Sequence, residues 1–127
     1  MKKLFTILTL FISITAFSQD PFLQKSNLEA KKEAIKLTDR YNRELALSGD
    51  QILLFQQKVE EFLIRRQEIE AAGFTGKLKL DQLYKNQQEE TADMQDILTH
   101  QQLQVYKQVK PEIQPLEIVK EKAKKDD

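Results

Sequence analysis

Three features of this 127-residue chain predict an all-α fold. Strong helix breakers beyond residue 20 are few: Pro21, Gly49, Gly73, Gly76, Pro111 and Pro115. The stretches between them are rich in Glu, Lys, Gln, Leu and Ala, which lose little conformational freedom in a helix. Apolar positions recur there every three to four residues, and no stretch alternates with period two. The length suits one domain, and about four helices are expected over residues 27–119.

Ser26 with Glu29 reads as a capping box that opens a first helix, from about Asn27 to Ala46, with Ala34, Ile35, Thr38, Tyr41 and Leu45 on its apolar side. Ser48 opens the second, which runs to about Ala72. Its seam of Ile52, Phe55, Val59, Phe62 and Ile69 is interrupted by Arg66, and Gly73 follows as the left-handed stop. Leu54, Leu63 and Ile64 lie off the seam, so the seam is a candidate dimer or client face. A third helix, from about Lys77 to Ile97, begins with Leu78, Leu80, Leu83 and Tyr84 and ends with Met94, Ile97 and Leu98. From Lys85 to Asp93 it has no large apolar side chain, so that stretch must be exposed, bent or held by polar contacts. The fourth helix, His100 to about Val109, carries Leu103, Tyr106 and Val109 before Pro111 stops it. Ile113, Leu116 and Val119 then add a short turn, and 120–127 reads as a charged, disordered tail.

The N-terminus carries an export address. Lys2 and Lys3 precede an apolar run from Leu4 to Phe17, and Ala16 and Ser18 supply the small residues that signal peptidase reads. The run is shorter than the ~20 residues that span a bilayer, so cleavage near Ser18 is expected, leaving residues 19–26 as a flexible arm. No stable membrane insertion is expected afterwards. Twenty basic residues balance twenty acidic ones, and losing the two signal lysines leaves the exported chain slightly acidic. That balance lacks the footprint of a nucleic-acid binder. There is no cysteine, so no disulfide can staple a polar, thin-cored protein, and helix packing or self-association must hold it together. A homodimer is the expected form.

One motif recurs. Leu47-Ser48-Gly49-Asp50-Gln51 and Leu98-Thr99-His100-Gln101-Gln102 lie 51 residues apart, each where one helix ends and the next begins. Ser48 or Thr99 as N-cap accepts from a first-turn N–H, and Gln51 or Gln102 reaches back to the cap residue's own N–H. Leu47 or Leu98 then staples against Ile52 or Leu103. Phe55 and Tyr106 occupy matching positions downstream.

On these two Leu-Ser/Thr-x-x-Gln copies the chain resembles the Spy/CpxP family of periplasmic LTxxQ proteins, over about Leu28 to Val109. The resemblance implies bent helical hairpins in an antiparallel, cradle-like dimer and a periplasmic location. It further implies an ATP-independent chaperone that binds unfolded envelope proteins. Relatives that restrain one envelope-stress sensor, or that respond to metals, make those roles the alternatives. Leu47, Ser48, Gln51, Leu98, Thr99 and Gln102 match the motif as structural positions.

Catalytic chemistry is not expected. Ser26, Ser48 and Thr99 have capping roles, and a lone histidine cannot serve a Ser-His-Asp arrangement. Gly73-Phe74-Thr75-Gly76 lacks the Lys-Ser/Thr of a phosphate loop. His100 would share a face with Glu89, Asp93 and Asp96 if the third helix ran through Thr99. The cap at Thr99 breaks that register, leaving His100, Asp96 and Asp93 as weak metal candidates and no cofactor assigned.

Overall fold

A computed structural model describes the backbone of residues 21–116 and the side chains of 27–116. The expected signal peptide and its cleavage point, Val119 and residues 120–127 lie outside the described residues. Four α-helices follow one another, α1 (Pro21–Leu45), α2 (Gly49–Ala71), α3 (Gly76–Asp93) and α4 (His100–Ile113), with a 3₁₀ turn at Met94–Asp96. Among the described residues there is no strand.

The all-helical expectation therefore holds, with three boundary corrections. α1 starts at Pro21 rather than Asn27, so residues 21–26, read as an arm, are helical and Ser26 lies inside the helix instead of capping it. Proline's fixed φ suits the first helical turn, and no breaker separates it from Asn27. α3 ends at Asp93, short of Ile97. Thr99 must be extended to cap α4 (φ −66°, ψ 164°), so the chain tightens into the 3₁₀ turn, with Ile97 and Leu98 N–H both donating to Met94 O. α4 runs through Pro111 to Ile113. A proline in the last turn removes a single N–H, and tertiary ties hold that turn: Ile113 packs on the core and Tyr41 O–H donates to Gln114 Oε1 at 2.6 Å. Arg66, which interrupts the seam of α2, pairs with Glu70 of its own helix at 3.7 Å.

α1 packs against both α2 and α4, and α2 packs against α3. The main core gathers Ala30, Ala34, Leu37, Tyr41 and Leu45 from α1, Phe55, Val59 and Leu63 from α2, Met94 from the 3₁₀ turn, Leu103 and Tyr106 from α4, and the corner leucines Leu47 and Leu98. Tyr41, Phe55 and Tyr106 meet as three rings at centroid distances of 5.2, 5.1 and 5.9 Å, two of the contacts edge-to-face. No residue of α3 belongs to that core.

Ile35, expected on the apolar side of α1, is 40% exposed, and Ala30 and Leu37 take the buried positions. The seam of α2 is also placed differently from the expectation of an open face. Phe55, Val59 and Phe62 are buried within the chain, Ile52 is half-buried against the core, and Ile69 is half-buried. α1 and α3 pack along α2, and Tyr106 of α4 reaches Phe55, so the arc is covered by more than one neighbour. The open apolar side chains of α2 are instead Leu53 and Leu54.

Candidate functional site

The two motif copies form one joint. Ser48 Oγ and Thr99 Oγ1 each accept from the N–H three residues on at 3.2 Å. Ser48 N–H and Thr99 N–H each donate to the glutamine Oε1 at 3.0 Å. Both capping boxes are therefore complete. Leu47 and Leu98 are buried in the cluster that holds Leu103 and has Ile52 packed against it, as the staple requires.

The glutamines do more than cap. Gln51 Nε2 donates to Gln102 Oε1 at 2.8 Å, and Gln102 Nε2 donates back to Gln51 Oε1 at 3.1 Å. The remaining amide hydrogens go to Ile97 O (from Gln51, 3.1 Å) and Leu45 O (from Gln102, 3.2 Å). Each amide thus fills two donor and two acceptor positions, which a carboxylate could not do. The sequence shows two corners 51 residues apart; the structure shows them locked face to face. The first corner is also tied by Asn42, whose Oδ1 accepts Leu47 N–H at 2.8 Å, while Ala46 turns the chain in the left-handed region (φ 51°).

A second constellation escapes sequence reading. One side of the polar stretch of α3 faces inward, where Glu90 and Asn86 are buried. Asn86 Nδ2 donates to Phe62 O at 3.1 Å. Lys110 of α4, also buried, places its Nζ 2.9 Å from Glu90 Oε1, 3.0 Å from Gln87 O and 2.9 Å from Thr91 Oγ1, so all three ammonium hydrogens have partners. Tyr106 O–H donates to Glu90 Oε1 at 3.3 Å, and the Lys110 ammonium lies 5.1 Å from the Tyr106 ring centroid. Gln114 closes the cluster: its Oε1 accepts Tyr41 O–H at 2.6 Å and its carbonyl accepts Gln87 Nε2 at 3.2 Å. Polar contact was one of the three options for Lys85–Asp93, and it is the one adopted.

Burial sets the electrostatics. Desolvation holds the Glu90 carboxyl above its ordinary range, opposed by the Lys110 charge and by hydrogen bonds. It pushes the Lys110 ammonium down, opposed by Glu90. Tyr41 and Tyr106 are both raised well beyond a free phenol, by burial first and by Glu90 second, so both remain neutral donors. Glu90 and Lys110 look like surface residues in sequence. The signal available was the missing apolar face of α3, since a helix that packs without apolar residues must satisfy buried polar ones from a neighbour.

The weak metal candidates do not assemble. Asp93 Oδ2 pairs with Lys58 at 3.3 Å, and His100 is the first residue of α4. Among the described residues no three His, Asp or Glu side chains gather closely enough to hold a metal ion. Open hollows flank the bundle. One, of about 480 Å³ between α2 and the 3₁₀ turn, is lined by Leu54, Gln57, Lys58, Glu61, Asp93, Asp96 and Ile97. Among the described residues no helix is long and apolar enough to cross a membrane. No protein-family model, no curated protein and no solved structure matches the chain.

Proposed function

We propose that the protein is an exported, ATP-independent chaperone-like protein that binds unfolded envelope proteins, built on the plan of the Spy/CpxP-like periplasmic family. The observation that carries this reading is the pair of neighbouring leucines left open on α2. Leu53 and Leu54 are 58% and 50% exposed on the solvent side of α2, and Leu54 edges the 480 Å³ hollow beside Ile97. Leu78 and Tyr84 of α3 are open as well. Apolar side chains set among Lys, Glu and Gln can hold an extended apolar segment weakly while charged neighbours keep both partners in solution. The two Leu-Ser/Thr-x-x-Gln copies carry the resemblance to that family.

The test is protection of several unrelated unfolding proteins from aggregation. Leu53→Glu with Leu54→Glu, both solvent-facing, should abolish protection while leaving far-UV helicity intact. Retention of a single native partner, with no general protection, would move the reading to the regulator of one envelope-stress sensor. The reading also includes an antiparallel homodimer. Sedimentation equilibrium at tens of micromolar should return a dimer mass; a monomer mass would leave Leu53 and Leu54 wholly to clients.

A further inference from the structure

α3 is attached to the rest of the molecule in a way unlike the other helices. The main hydrophobic core is complete without it, and Leu83 is its single buried apolar residue. Its inward stripe is Leu83, Asn86 and Glu90, residues that lie on one face at helical spacing. Its ties to α4 and to the residue that follows it are polar: Glu90 and Thr91 to Lys110, Gln87 O to Lys110, Glu90 to Tyr106, and Gln87 to Gln114. α3 also packs along α2, where its polar ties are the Asn86–Phe62 bond and two outer ion pairs, Arg65–Glu89 at 3.5 Å and Lys58–Asp93 at 3.3 Å. Each of these can be exchanged for water, and an ion pair leaving the interior regains the hydration that burial removed.

Both ends of α3 are built to swivel. At its start Gly73 and Gly76 take left-handed φ values of 80° and 58°, and Thr75 caps without a side-chain hydrogen bond. At its end the chain passes into the 3₁₀ turn, whose first residue, Met94, is fully buried in the core. The anchor points thus lie just outside the helix. Phe62, though buried, also lies outside the main cluster, with Arg65 stacked 4.6 Å from its ring centroid.

We propose that α3 is a releasable strap: it comes away as a unit between the Gly73–Gly76 turn and the Met94–Asp96 turn while α1, α2 and α4 stay packed. Release turns the apolar flanks of Leu83 and Phe62 from buried to open without unfolding the protein. The strap is argued from packing alone and does not rest on the chaperone reading.

Hydrogen exchange on the full chain tests it. Amides of Leu83 to Thr91 should exchange roughly tenfold or more faster than those of Val59, Leu63 and Tyr106, after correction for intrinsic rates, with a shallower dependence on urea. Exchange of α3 at the rate and urea slope of α2 and α4 would overturn the proposal. Lys110→Ala should raise α3 exchange by a further roughly tenfold and increase the emission of an added anilinonaphthalene sulfonate dye, with the protection of Val59 and Leu63 unchanged. Asn86→Ala should act in the same direction and less. Loss of protection in all four helices together, in either variant, would show one cooperative unit and no strap.

Discussion

Gln51 and Gln102 show why an amide stands at each corner although glutamate is an equally good partner in an isolated capping box. Each Nε2 feeds the other copy's Oε1 and a carbonyl that ends a neighbouring segment. Gln51→Glu keeps the cap acceptor but turns two donors into acceptors facing oxygen, and should cost about 1–3 kcal/mol at neutral pH, more than Gln51→Ala. The introduced carboxyl is stabilised in its protonated form, so its folded pKa rises above the unfolded one. Its share of stability is present below the unfolded value and lost as pH rises, so the variant should recover towards pH 4 in urea titrations. Ala46, at φ 51°, is a separate point of strain. Ala46→Gly should raise stability by about 0.5–1 kcal/mol, read from the denaturant midpoint, because relief of left-handed strain outweighs the added freedom of the unfolded chain. Thr99→Ala and Ser48→Ala should each cost roughly 0.5–2 kcal/mol, and Leu98→Ala more, since it also opens a cavity. The caps and staples were legible because their chemistry is local in sequence. The bond between the glutamines was not, because nothing within one copy says what the free amide hydrogens meet.

At the scale of the element, α3 and α4 form a polar seam in an otherwise apolar bundle. Removing one member of a buried ion pair in a rigid interior costs about 3–5 kcal/mol, because the other charge is stranded. If α3 can lift and rehydrate Glu90, Lys110→Met should cost less than that range in global stability, and its effect should concentrate in α3. Without the lysine, the docked Glu90 carboxyl rises further above its unfolded value. Docking of α3 is then favoured at low pH and lost as pH rises past the ordinary carboxylate range. Protection factors of α3 amides in this variant should therefore be higher at pH 4 than at pH 7. Sequence patterning located the anomaly, the run from Lys85 to Asp93, yet could not choose among exposure, bending and polar pairing. The deciding residue, Lys110, lies on another helix, at a spacing from Leu98 that matches Val59 from Leu47. A lysine there reads as solvated unless the facing helix is already known to be polar.

For the whole molecule, helix number, order and corners followed from breakers and 3.6-residue periodicity, which are properties of single segments. The disposition of the α2 seam did not, since how much of an apolar arc is covered depends on how many neighbours reach it. Tyr41 of α1 wedges against both Phe55 and Tyr106, so the core closes between the first and last helices across the whole intervening chain. Because α3 lies within that span but contributes nothing to the core, it also has a kinetic meaning. During folding it is a spacer between α2 and α4, and its docking can follow closure of the aromatic cluster instead of preceding it. Leu83→Ala should therefore leave the refolding limb of a chevron plot unchanged and steepen only the loss through faster unfolding, whereas Phe55→Leu should slow refolding itself.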